Sequence, residues 1–126
     1  MNIAIVEQSK PYRESLKILL NQIPDFRVVF DTDNHSDFLK FLITGQIDIL
    51  FLDFEYIETR GIEIMLNYSN SFPTSKIIVL SYSLEICRYE TILQTYRLDV
   101  MLKNSTKKEF DKHIRETLNN TLSTQK

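Results

Sequence analysis

Polar side chains stand just past each of five short apolar runs in this 126-residue sequence. Glu7 and Gln8 follow Ile3-Ala4-Ile5-Val6, and Asp31 and Asp33 follow Val28-Val29-Phe30. Asp53 ends the run from Ile47 to Leu52, which is broken only by Asp48. Ser81 follows Ile77-Ile78-Val79-Leu80, and Lys103 follows Val100-Met101-Leu102. If the runs are neighbouring strands, a carboxylate, a second acid, a hydroxyl and an ammonium converge on one edge. Those are the parts of a site for a charged group: a carboxylate serves as nucleophile or hard oxygen ligand, a hydroxyl donates, and an ammonium is a fixed cation. Taken singly, each has a plainer role. Asp53 could be a strand-end turn residue, Ser81 a helix cap, Lys103 the first exposed residue past a buried strand and Glu7 a solvated turn acid. Asp31 and Asp33 read as solvated loop residues.

The elements that must position these groups are legible as periodicities. The five runs are continuous rather than alternating and rich in β-branched residues, as strands buried on both faces are. Segments of helical period lie between them. Tyr12, Leu16, Leu19, Leu20 and Ile23 share one face, with Ser9 and Pro11 marking the start. Phe38, Leu39, Phe41 and Leu42 mark a second helix, Ile62, Met65 and Leu66 a third, and Ile86, Tyr89, Ile92 and Leu93 a fourth. In the last helix Thr106-x-x-Glu109 is a capping box, and Phe110, Ile114, Leu118 and Leu122 recur behind it. Strict βα alternation with connections too long for hairpins predicts a parallel sheet with right-handed crossovers and helices on both faces, a three-layer α/β sandwich. One domain is expected over residues 1–122, with Ser123 to Lys126 a frayed polar tail.

Composition removes several alternatives. The sequence is 43% hydrophobic and 25% charged, the balance of a globular domain. A net charge of −2 gives no electrostatic footprint for nucleic acid or an anionic membrane. No uncharged stretch approaches a membrane span and the first apolar run breaks at Glu7, so a cytoplasmic protein is expected. Cys87 is the single cysteine, and His35 and His113 are the only histidines, which argues against a disulfide or a zinc site. With only Gly45 and Gly61, no glycine-rich nucleotide loop can be written.

The joint pattern resembles the receiver domain of two-component response regulators across essentially the whole chain. It rests on Ile49-Leu50-Phe51-Leu52-Asp53 with Gly61 eight residues later, on Val79-Leu80-Ser81, and on Met101-Leu102-Lys103. Ser81 lies 28 positions past Asp53, and Lys103 lies 22 past Ser81. The resemblance implies a flavodoxin-like five-stranded parallel sheet of order 2-1-3-4-5 and a signalling switch rather than an enzyme. It implies that Asp53 is the phosphoacceptor for a histidine kinase or phosphotransfer protein, with Ser81 and Lys103 contacting the phosphoryl group. Mg²⁺ would be held by Glu7, Gln8, Asp53 and the backbone carbonyl of Glu55. A downstream protein, or an output domain beyond this chain, would receive the signal through the face of the fourth helix, fifth strand and fifth helix, which could also pair two copies.

Several positions depart from the family pattern. Gln8 replaces a metal-ligating carboxylate, which predicts weak Mg²⁺ binding or its loss. Ile57 stands where a proline is usual, and Tyr82 follows Ser81 where a small residue is preferred. Tyr96-Arg97 replaces a Gly-Ala pair, and Val100 occupies the position of the aromatic switch, leaving Tyr82 and Tyr96 as substitute rings. Two functions compete: a phosphoacceptor receiver, and a degenerate receiver that acts as a phosphorylation-independent interaction module. A flavin carrier on the same fold lacks its phosphate loop.

Overall fold

A computed structural model describes residues 1–42, 46–55, 76–82, 94 and 98–124. The third and fourth expected helices, with Ile57, Gly61, Cys87, Tyr96 and Arg97, lie outside the described residues. The five runs form β1 (Asn2–Val6), β2 (Arg27–Thr32), β3 (Ile49–Asp53), β4 (Lys76–Ser81) and β5 (Leu98–Leu102). All described pairings are parallel, and the order is β2-β1-β3-β4-β5, as the resemblance implies. The described helices are α1 (Lys10–Asn21), α2 (His35–Leu42) and the C-terminal α3 (Lys107–Thr124).

Side-chain alternation along each strand divides the core into two layers. Ile3, Ile5, Ile49, Phe51, Ile78, Leu80 and Met101 pack with Leu16 and Leu20 of α1 and Phe110 and Ile114 of α3. Ala4, Val6, Leu50, Leu52, Ile77, Val79 and Leu98 face the other way and pack with Phe38 of α2, Ile47 and Phe54. The sheet is therefore covered on both sides, which is why its strands read as unbroken apolar runs. A bulge fixes the edge: Ile3 pairs with Val28 but Ala4 with Phe30, so Val29 is the extra residue. The bulge turns Phe30 onto the Ala4 face, where it stacks on Phe41 at 4.5 Å. Phe38 is fully buried beside them. Cutting such a phenylalanine to alanine typically costs about 3–5 kcal/mol, so this cluster is what anchors the short α2.

The helix starts follow the sequence signals. Ser9 caps α1, its hydroxyl accepting from the Tyr12 N–H at 3.4 Å. The capping box of α3 forms: Thr106 Oγ1 accepts from the Glu109 N–H at 3.2 Å, and Glu109 Oε1 accepts from the Thr106 N–H at 3.3 Å. Asn34 caps α2 through Oδ1, which accepts from the Ser36 N–H at 2.7 Å. At the opposite edge of the sheet Asp48 ties three strands. Its Oδ2 accepts from the Asn2 N–H at 2.7 Å, and its carbonyl accepts from the Lys76 N–H at 2.9 Å.

Three expectations are corrected. Ile47 and Asp48 precede β3 rather than belonging to it, although Ile47 is buried. Ile23 lies past the end of α1, where its N–H donates to the Leu20 carbonyl at 3.1 Å. The last helix runs through Thr124, so Ser123 and Thr124 are helical rather than tail, in keeping with the absence of glycine or proline there.

Candidate functional site

The parallel register carries the polar groups to the carboxyl edge of the sheet, where ligands bind in open α/β folds. Val6 pairs with Leu52, so Glu7 leaves β1 beside Asp53 at the end of β3. Asp53 pairs with Leu80, and Ser81 ends β4 one step further, paired with Leu102. Lys103 follows, its N–H donating to the Ser81 carbonyl at 2.7 Å.

Lys103 then reaches back across the sheet edge. Its ammonium lies 2.9 Å from both Glu7 carboxylate oxygens, with hydrogen-bonding geometry to Oε1, and donates to Asp53 Oδ1 at 3.2 Å. The three groups are buried: the side chains of Glu7, Asp53 and Lys103 are 0%, 3% and 5% exposed. Two carboxylates against one ammonium leave an excess negative charge in a place of low polarity. Burial accordingly pushes the Glu7 carboxyl above its ordinary value, more than its bonds from Lys103 and the Ser9 N–H pull it down. For Lys103 burial pulls downward, but the Glu7 hydrogen bond and the charges of Asp53 and Glu7 outweigh it, and its pKa is raised.

Backbone groups complete the Asp53 surroundings. Oδ1 accepts from the Glu55 N–H at 3.2 Å, and Oδ2 makes a long contact of 3.5 Å with the Gln8 N–H. The side chains of Gln8 and Glu55 belong to exposed residues. Ser81 is buried at the strand end. Val100 is half-buried against the α2 layer of the core.

Of the two readings of Glu7, site residue and solvated turn acid, its burial in the triad excludes the second. Two other parts of the site were misread or missed. Asp31 lies within β2, not past it, and is paired with Arg13 Nε at 3.3 Å and Lys17 Nζ at 3.1 Å. Arg13 also donates from Nη1 to the Glu7 carbonyl at 2.7 Å, which ties α1 to the site. The spacing of Arg13 and Lys17, one turn apart on α1, was the signal for an acidic partner. Tyr12, read only as a core residue, has its ring centroid 5.4 Å from Lys103 Nζ, and the ring of Tyr82 lies 4.9 Å from the same nitrogen. Such contacts contribute about 0.5–2 kcal/mol, more as water is excluded. Burial, reinforced by the negative charge of Glu7, pushes the Tyr12 phenol well above its usual range.

The donor chemistry fits a hard divalent cation. Glu7 Oε2 is buried with the Lys103 ammonium beside it, at 2.9 Å, and that one ammonium is shared by two carboxylates, which leaves an excess of negative charge. Among the described residues, however, no three acidic, histidine or cysteine side chains gather at one point. No helix among them is long and apolar enough to cross a membrane.

Comparisons with known proteins agree with this geometry. The sequence profile of the response regulator receiver domain matches residues 3–115. The transcriptional regulatory protein DegU of Brevibacillus brevis is 23% identical over 103 residues, 82% of this chain and 44% of that protein. The transcriptional regulatory protein LytR of Staphylococcus aureus is 33% identical over 64 residues, 51% of this chain and 26% of that protein. The chain thus spans less than half the length of these relatives. Among solved structures, the response regulatory domain of mrkE from Klebsiella pneumoniae superposes with a TM-score of 0.80 at 20% identity, covering 98% of this chain and 99% of that one. CheY6 of R. sphaeroides, solved in complex with the phosphorylated P1 domain of CheA3, is among the similar structures: TM-score 0.67, 22% identity, 94% and 96% covered. The strand order, the acidic and lysine residues at the sheet edge and the profile match over most of the sequence converge: this chain belongs to the response regulator receiver domain family.

Proposed function

We propose that this chain accepts a phosphoryl group on Asp53 from a histidine kinase or phosphotransfer protein in the cytoplasm, and thereby switches a partner in two-component signalling. The observation that carries this reading is the Asp53 carboxylate at the end of the central strand, 3.2 Å from the Lys103 ammonium and beside the buried carboxylate of Glu7. In the transfer, an Asp53 oxygen forms a bond to phosphorus while the bond from phosphorus to the donor imidazole nitrogen breaks. The electron pair of that bond stays on the nitrogen. Negative charge on the equatorial oxygens is met by Lys103, which exchanges carboxylate for phosphoryl contacts, and by the Ser81 hydroxyl. The complex of phosphorylated CheA3 P1 with CheY6 supports the donor class by analogy.

The carboxylates of Glu7 and Asp53, the Gln8 amide oxygen and the Glu55 carbonyl are the groups that would hold Mg²⁺. When bound, the ion neutralises phosphoryl charge. Binding is weak because Gln8 contributes no charge. Output proceeds through the face of the fourth helix, β5 and the C-terminal helix, toward a partner protein or a second copy. Val100 offers no ring to report the state of the site, and Tyr82 or Tyr96 takes that part.

Incubation with Mg²⁺ and acetyl phosphate, followed by intact mass measurement, tests the proposal. One added phosphoryl group is expected on the wild type and none on Asp53→Asn. An unmodified wild type would leave a phosphorylation-independent interaction module as the function.

A further inference from the structure

The proposed phosphoacceptor is covered. Its side chain is only 3% exposed, and a phosphoryl donor cannot approach a carboxylate in line until whatever covers it moves. The core layers on either side are packed and cannot supply that motion. Among the described residues beside the site, the ring of Tyr82 can: the residue is 63% exposed, it follows the last residue of β4, and the ring lies 4.9 Å from the ammonium that Asp53 holds. Tyr12 stands at 5.4 Å from the same nitrogen but packs against the α1 layer of the core, so it forms a fixed wall.

Resting on the phosphoacceptor reading, we propose that Tyr82 is a movable aromatic gate over Lys103, with Tyr12 as its fixed counterpart, and that this gate selects the phosphoryl donor. While the ring holds the ammonium, Lys103 stays locked on Glu7 and Asp53, and small acyl phosphates reach the carboxylate only slowly. A docking protein offers the ring an alternative surface, since an exposed tyrosine gains by burying its apolar body against a partner. Displacing the ring frees Lys103 to turn toward the incoming phosphoryl group. Tyr82 is a specificity-determining residue in this scheme. It does not donate a proton or touch phosphorus, so its ring matters and its hydroxyl does not.

The test compares the full chain as wild type, Tyr82→Ala and Tyr82→Phe. Phosphoryl incorporation from acetyl phosphate is followed by intact mass, and the ε-methylene protons of Lys103 are followed by NMR. In the wild type and Tyr82→Phe the ring currents shift those protons upfield, and Tyr82→Ala reduces the shift. Loss of one cation–π contact and of the steric cover raises the acetyl phosphate rate about tenfold in Tyr82→Ala, with Tyr82→Phe at the wild-type rate. Equal labelling rates in all three proteins would overturn the gate and leave the phosphoacceptor intact. Unshifted Lys103 protons in the wild type would also overturn it. Absence of labelling in all three would overturn the phosphoacceptor reading itself and the gate with it.

Discussion

The Lys103 ammonium and the Glu7 carboxylate lie 96 positions apart in sequence and 2.9 Å apart in space, one following β5 and the other β1. The contact crosses β4 and β3, and the lysine meets Asp53 at 3.2 Å on the way. One cation thus holds two buried anions, and the stability of the sheet edge depends on it.

Replacing Lys103 by methionine keeps most of the side-chain volume and strips both carboxylates of their partner. Breaking a buried pair in this way costs on the order of 3–5 kcal/mol, less what protonation of Glu7 restores. Urea unfolding of Lys103→Met should show a large loss of stability, and adding Glu7→Gln should recover part of it. Equal stability of Lys103→Met and wild type would mean that the triad does not hold the edge.

The triad also gives the fold a pH signature. The folded-state pKa of Glu7 is raised above its ordinary value of 4.5, so across the window from 4.5 up to the raised value the folded protein holds a proton that the unfolded chain releases. Stability from this group is complete below that window and is lost as pH rises through it. In EDTA, the stability advantage of wild type over Glu7→Gln should shrink as pH increases from 4.5 toward neutrality. A difference that grows instead would show that pairing with Lys103 outweighs desolvation.

The capping box allows a cleaner measurement, because Thr106 and Glu109 are exposed and their side chains bond to each other rather than to the triad. Thr106 and Glu109 satisfy each other's backbone N–H groups at 3.3 and 3.2 Å. Thr106→Ala should cost about 1 kcal/mol. That loss should appear in thermal unfolding with no change in Asp53 labelling.

The layers of the fold were legible because each strand carries enough apolar residues to bury both faces, and the Thr106-x-x-Glu109 pattern marks its helix without help from the rest of the chain. Asp53, Ser81 and Lys103 could be placed at one edge because parallel strands of similar length put their ends together. What could not be read was burial at that edge. Glu7 looks like a turn acid until Lys103 is known to cross two strands to reach it. Asp31 looks like a loop residue until the bulge at Val29 and the pairing with Arg13 and Lys17 extend β2 past it. Tyr12 obeys the helical period of the core, and that period hides its second role beside the lysine.

Gln8 is where the chemistry of the site can be altered most directly. Its backbone N–H contacts Asp53 Oδ2 at 3.5 Å, so its side chain starts beside the carboxylates while remaining on an exposed residue that can be changed without disturbing the core. An aspartate there would add a hard anionic ligand to those of Glu7 and Asp53. A unit charge about 4 Å from a cation is worth about 4 kcal/mol per unit of cation charge at an effective dielectric near 20, before hydration returns part of it. A remainder of about 1.4 kcal/mol is tenfold in affinity. Gln8→Asp should therefore bind Mg²⁺ about tenfold more tightly in a calorimetric titration and take phosphoryl from acetyl phosphate faster at low Mg²⁺. The added charge also competes for Lys103, which would pull the ammonium away from Asp53 in the absence of metal. Tighter Mg²⁺ binding with unchanged labelling would assign the rate limit to the covered carboxylate rather than to the metal. No gain in binding would mean that the ammonium of Lys103, already held by both acids, keeps the ion out.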